Sequence, residues 1–244
     1  MLIPVLTPAQ AASWDERALA SGIAVETLMD AAGRASAGVL ADRYGPALRG
    51  GALVAAGTGN NGGDGWVLAQ VLHRHDVPVF VAPLPGTLSP LNAHARSIAL
   101  AEGVREVSPD GPWPAMAIAV DAILGTGASG APRGPAAALL ERLRDLRVPL
   151  VALDGPTGVD LLTGATWGPA GANLSITFGA PRRGHLLARD EVGDVVVVDI
   201  GLPPADPAWP TMTTDAQAAE WLTPFAAGAH KGDRGRVVDR RRMR

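Results

Sequence analysis

Cysteine is absent from the 244-residue chain, so it can form neither disulfides nor thiolate metal sites. Lysine is nearly absent too. Lys231 is the only one, and arginine supplies the rest of the 21 basic residues. That excludes a P-loop, whose glycine-rich turn must be followed by Gly-Lys-Ser/Thr. No apolar run approaches the 18 residues needed for a membrane-spanning helix. The opening Met1-Leu2-Ile3-Pro4 shows neither the basic start nor the apolar stretch of a secretory signal, so a cytoplasmic location is expected. The net charge of −3 offers no basic footprint for nucleic acid. What is there, 47% hydrophobic and 18% charged residues, describes a globular chain long enough for one large α/β domain.

The sequence is organised around Leu53-Val54-Ala55-Ala56-Gly57-Thr58-Gly59-Asn60-Asn61-Gly62-Gly63-Asp64-Gly65. Small and β-branched residues lead into glycines and amides, and a helical pattern follows from Asp64 to His75. This reads as a buried strand, a tight loop and a helix N-terminus, where free N–H groups suit an anion. Gly57, Gly59 and Gly62 fit the dinucleotide spacing G-x-G-x-x-G. Asp76, however, falls before the second strand rather than after it, so the ribose contact of a Rossmann dehydrogenase is not matched. Asp64 has two open readings, a carboxylate complementing the helix N-terminus and a ligand contact.

Around that stretch, helices are expected from Thr7-Pro8 to about Ser21 and from Val25 to Asp42, with Gly33 and Gly38 allowing close packing. Strands are then expected at Leu53–Gly57, Val77–Ala82, Met116–Leu124, Val148–Asp154, Asn173–Phe178 and Val195–Ile200. Helices are expected at Leu91–Glu102 and Pro135–Leu146. Such alternation predicts a mostly parallel sheet with helices on both faces, and ligands bind at the carboxyl ends of its strands. Three sheet-end loops carry an aspartate with glycines: Asn60–Gly65, Asp121–Gly130 and Asp154–Asp160. Together they argue for a ligand site. Trp66, directly after the first loop, is a candidate lining residue for a nucleotide ring. Arg182-Arg183-Gly184 could reach a phosphate, although a solvated turn is the simpler reading. His73 and His75 point different ways from one helix and are expected to face solvent. His94 and His185 have no visible partner.

The loop Asn60–Gly65, the segment Val120-Asp121-x-x-Leu124-Gly125-Thr126-Gly127, Leu153-Asp154-x-Pro156-x-Gly158 and Leu28-Met29-Asp30-x-Ala32-Gly33 resemble the YjeF N-terminal domain family, the NAD(P)H-hydrate epimerases. The resemblance covers nearly the whole chain. It implies a Rossmann-like three-layer α/β/α sandwich and a homodimer. The implied activity interconverts the R and S forms of hydrated NADH and NADPH, and a separate ADP- or ATP-dependent dehydratase then repairs the S form. By this resemblance Asn60, Asn61, Gly62, Gly63 and Asp64 contact the hydrated dinucleotide, and Gly125, Thr126, Gly127, Ala128, Ser129, Gly130 and Ala131 form the phosphate loop. Asn61, Asp121 and Thr157 ligate a potassium ion, Thr157 standing where the family usually has serine. Asp154 resembles a substrate-contacting carboxylate and is the expected general acid/base.

Ala229 to Val238 resemble the start of the fused dehydratase domain. The expected organisation is therefore an epimerase domain over 1–225, followed by a linker and truncated dehydratase start over 226–244, with a disordered basic tail. Two other readings are a non-catalytic nucleotide-binding or scaffold module of the same fold, and a nicotinamide-dependent oxidoreductase.

Overall fold

The computed structural model describes residues 3–168, 171–221 and 228. Residues Pro4–Pro210 form one compact unit that holds the main sheet and every candidate site residue. A small second unit takes residues 1–3 and 211–244; its described part includes the strand Thr211–Met212 and the helix Asp215–Trp221. The expected domain boundary at 225 and the expected dehydratase start at 226–244 lie outside the described residues, residue 228 apart. No described helix is long and apolar enough to cross a membrane.

The larger unit opens with α1 (Pro8–Ala20) and α2 (Val25–Tyr44). Thr7 starts α1 with a reciprocal cap: its hydroxyl accepts from the Gln10 N–H, and the Gln10 side chain accepts from the Thr7 N–H. There follow β1 (Ala52–Ala56), α3 (Asn60–Arg74), β2 (Val79–Pro83), α4 (Pro90–Ala101), β3 (Arg105–Glu106), β4 (Ile118–Ala122) and α5 (Pro135–Asp145). The chain continues with β5 (Leu150–Leu153), β6 (Leu174–Phe178), the short helices α6 (Arg183–Leu187) and α7 (Arg189–Val192), and β7 (Asp194–Val198).

The seven strands lie in the order β3-β2-β1-β4-β5-β6-β7, and every pairing is parallel. This is the Rossmann-like sandwich the sequence implied. Alternation along each strand builds the layers. Val54, Val81 and Val120 share one face and pack with Leu28, Met29, Trp66 and Leu68 of α2 and α3. Leu53, Ala55 and Ala119 point to the other face and meet Leu139, Leu140 and Leu143 of α5. Burying each of those leucines stabilises the fold by about 1.5–3 kcal/mol.

Several expectations are corrected. Helix α3 begins at Asn60, not Asp64, so the amides and two glycines form its first turn rather than a loop. Its glycines are there for contact: a side chain at Gly62 would collide with the Gly57 carbonyl, and one at Gly33 would collide with Val67 of α3. Gly38 has open space instead, so it plays no packing role. Strand β3 was not predicted; it is a two-residue, charged and exposed edge, too short for any periodicity to register. Trp66 is fully buried in the core and is not among the residues that line the cavity at the carboxyl edge of the sheet.

Candidate active site

The strand order reverses between β1 and β4, and there the loops leaving them must diverge to opposite faces of the sheet. A cavity of about 600 Å³ opens at this edge. Its floor is Asn60, Asn61 and Asp64 from the start of α3 with the segment Leu124–Ala128, and its walls include Asp154 and Arg182. Trp14 and Asp15 of α1, with Leu28 and Met29 of α2, line it too.

The loop after β1 is held from behind. The Asn92 amide nitrogen donates to the carbonyls of Gly57 at 2.8 Å and Gly59 at 2.7 Å. The Ser89 hydroxyl donates to Asn60 Oδ1 at 2.7 Å. Gly62 and Gly63 therefore face protein rather than the cavity, against Gly57, Asn92 and Met29. Ser129, Gly130 and Ala131 lie beyond the cavity lining, unlike Gly125, Thr126, Gly127 and Ala128.

Asp121 ends β4 and is fully buried. Its Oδ2 accepts from the Thr157 N–H at 2.8 Å, and its Oδ1 accepts from the Thr157 hydroxyl at 2.8 Å and the Ile123 N–H at 3.1 Å. Burial raises its pKa above the ordinary carboxyl value, and those hydrogen bonds offset part of the rise. Thr157 Oγ1 in turn accepts from the Leu124 N–H at 3.1 Å. Asn61 is also buried, and neither Oδ1 nor Nδ2 of its amide has a hydrogen-bond partner. An orphaned amide oxygen, a buried carboxylate and a hydroxyl are hard oxygen donors, so these residues fit a monovalent cation in chemistry. The described residues hold no cluster of three His, Cys, Asp or Glu side chains suited to a metal ion.

Asp154 follows β5 with φ of 62°, a left-handed conformation that a non-glycine residue adopts at a cost of order 1 kcal/mol or more. Its Oδ2 accepts from the Thr126 N–H at 2.6 Å, and its Oδ1 faces Arg182 Nη2 at 3.3 Å. Gly125 packs tightly between its carboxylate and Asn61, since a Cβ there would lie 3.0 Å from Asp154 Oδ2 and 3.2 Å from Asn61 Cβ.

Two further carboxyls share the cavity. Burial pushes the Asp64 pKa well up, and the charges of Asp154 and Asp15 add to the rise. Asp64 lies past the first turn of α3, which holds no acidic residue, and it lines the cavity. Asp15 is raised by burial as well, with Arg182 pulling it back. His185 is buried, and its Nδ1 accepts from the Arg182 N–H at 2.9 Å. Desolvation lowers its pKa to about 4, so the ring is neutral at neutral pH.

Arg182 corrects the expectation of a solvated turn: it is buried and reaches into the cavity, while its neighbour Arg183 is exposed. The signal was present, because Arg182 follows β6 at the same sheet edge as the other three loops. Trp14 and Asp15 were missed because α1 reads simply as a covering helix. His75 is exposed as expected, whereas His73 is half-buried with Nε2 3.0 Å from the Glu102 carbonyl.

Residues 25–184 match the family described as YjeF-related protein N-terminus. The bifunctional NAD(P)H-hydrate repair enzyme Nnr of Thermanaerovibrio acidaminovorans is 38% identical over 216 residues, which cover 84% of this chain and 42% of that protein. The enzymes of the same name from Salinibacter ruber and Escherichia coli are each 34% identical, covering 93% and 89% of this chain and 47% and 44% of theirs. The chain thus spans a little under half the length of these relatives. The crystal structure of yeast ynu0 superposes with a TM-score of 0.70 over 92% of this chain and 96% of that one. At 22% identity it speaks to the fold alone.

Proposed function

The chain belongs to the YjeF-related N-terminal family, and on that premise we propose that it interconverts the R and S forms of hydrated NADH and NADPH. The observation that carries this reading is the convergence of Asn60, Asp64, Gly125–Ala128 and Asp154 on one cavity at the switch point of the sheet. The pyrophosphate lies against the backbone of Gly125–Ala128 and the N-terminus of α3, and the hydrated ring faces the carboxyls. Ser129, Gly130 and Ala131 then extend the phosphate loop outside the cavity.

Epimerisation inverts carbon 6, whose hydroxyl adjoins the ring nitrogen. Asp64, which burial favours in its protonated form, gives a proton to that hydroxyl as the C–O bond breaks. The nitrogen lone pair forms the planar C=N bond, and the oxygen leaves as water. Asp154 takes the proton of a water that adds to the other face, closing the cycle once a proton returns to Asp64. The sequence alone gave both roles to Asp154; the two cavity carboxyls divide them. Asn61, Asp121 and Thr157 would hold a potassium ion, which would supply positive charge to the site. The protein works as a cytoplasmic homodimer and is coupled to an NAD(P)H-hydrate dehydratase.

The test is chromatography of purified R- or S-NADH hydrate incubated with the protein. Faster exchange between the epimers is the expected result. Oxidised nicotinamide would favour a dehydrogenase, and an inert substrate would favour a scaffold. Asp154→Asn should slow turnover far more than it weakens binding; near-normal turnover would remove Asp154 from the chemistry.

A further inference from the structure

Arg182 has no part in the chemistry just described, yet its placement is costly. It is 7% exposed and is the one cation among the described residues lining the cavity, which it shares with Asp15, Asp64 and Asp154. Nη1 donates to the carbonyls of Phe178 and Ala180. Nη2 reaches Asp154 Oδ1 at 3.3 Å, and Nε is buried with no partner. A buried guanidinium is strongly destabilising unless its charge is matched and its donors are used. Here the match is slack, because a charge-assisted N–H···O bond is usually about 2.7–2.9 Å long. Nε and Nη2 are the adjacent donors that a planar guanidinium presents in a two-point hold on a carboxylate, and only Nη2 is engaged with Asp154.

Asp154 needs such a hold. Its backbone sits in the left-handed region, and among the described residues its carboxylate has one hydrogen bond apart from Arg182, from Thr126. We propose that Arg182 is the positioning residue of this site, aiming the Asp154 carboxylate at the substrate by tightening from one loose contact to two. This rests on the epimerase reading above. The competing explanation is that Arg182 only pins the turn between Phe178 and Ala180.

The experiment measures kcat and KM for epimer exchange by the full chain, alongside melting temperature, for R182A, R182K and R182Q. A misaimed catalytic group costs roughly 10–100-fold in rate. R182A should therefore lose that much kcat while KM moves less than threefold, and added guanidinium ion should restore kcat severalfold. R182K, which keeps the charge, should stay closer to wild type than R182Q. A folded R182A with wild-type kcat overturns the proposal, as does a rise in KM at unchanged kcat. A loss relieved by neither guanidinium nor R182K assigns Arg182 to the turn and overturns it too. Should R182A fail to fold, R182Q decides: wild-type kcat there overturns the proposal, and a slow R182Q beside a fast R182K supports it. A wild-type protein that exchanges no epimers overturns this inference together with the epimerase reading, whereas an active wild type with an equally active R182A removes the inference alone.

Discussion

Thr157 grips Asp121 from both ends of the residue, its N–H on one carboxylate oxygen and its hydroxyl on the other, each at 2.8 Å. The pair is buried and joins the end of β4 to the turn after β5. Thr157→Val removes the hydroxyl from Asp121 and leaves the Leu124 N–H without its acceptor. Asp121 Oδ1 keeps the Ile123 N–H, whereas the unpaired Leu124 N–H costs about 1–3 kcal/mol, so chemical denaturation should show a loss in that range. Thr157→Ser keeps the hydroxyl and loses one methyl, worth about 0.8 kcal/mol. If the same oxygens hold potassium, the valine variant also needs more potassium for half-maximal epimerisation than the serine variant does.

Asp64 should set the alkaline side of the rate profile. A proton donor must be protonated to act, so kcat falls as pH rises through its elevated pKa. Asp64→Asn should remove this limb and slow exchange by roughly 10²–10⁴-fold. The same shift has a stability consequence of defined sign. The folded state keeps this proton above the ordinary carboxyl value of 3.8, so stability declines as pH climbs from there through the raised value. Asp64→Asn should therefore melt higher than wild type at neutral pH and show a flatter dependence of melting temperature on pH. Asp15 and Asp154, the neighbours that help raise it, remain in both proteins.

His185 works in the opposite direction. Its pKa is about 4 in the folded protein against 6.5 for the free side chain, so below pH 6.5 the unfolded chain binds the extra proton first. Stability is then lost as pH falls from about 6.5 to about 4, by on the order of 3 kcal/mol from this group. His185→Gln, whose amide can still accept from the Arg182 N–H, should lose less stability than wild type over that interval. Denaturant titrations at several pH values measure the difference.

Much of this arrangement is written locally in the chain. Apolar strands alternating with amphipathic helices dictate a parallel sheet with two covered faces, and β1, β4 and β5 fall within about two residues of where their patterns place them. The loops at their carboxyl ends announce themselves through aspartate and glycine. What escapes local reading is contact between distant segments. Asn92 looks like any polar helix residue until α4 docks and its amide meets Gly57 and Gly59. Trp66 stands beside the glycine stretch in sequence, but the helical turn carries it into the core. Arg182 has the composition of an exposed turn, and only tertiary packing turns it inward onto Asp154. Glycine at 62 is legible as a need for space, but what fills that space is not.

Asn92 also governs how a ligand is received. By fastening the carbonyls of Gly57 and Gly59 before anything arrives, it leaves little freedom there for an incoming molecule to quench. Association at this edge should then forfeit little order on the protein side, and the selectivity of the cleft should come from shape already set rather than from loops folding around their guest.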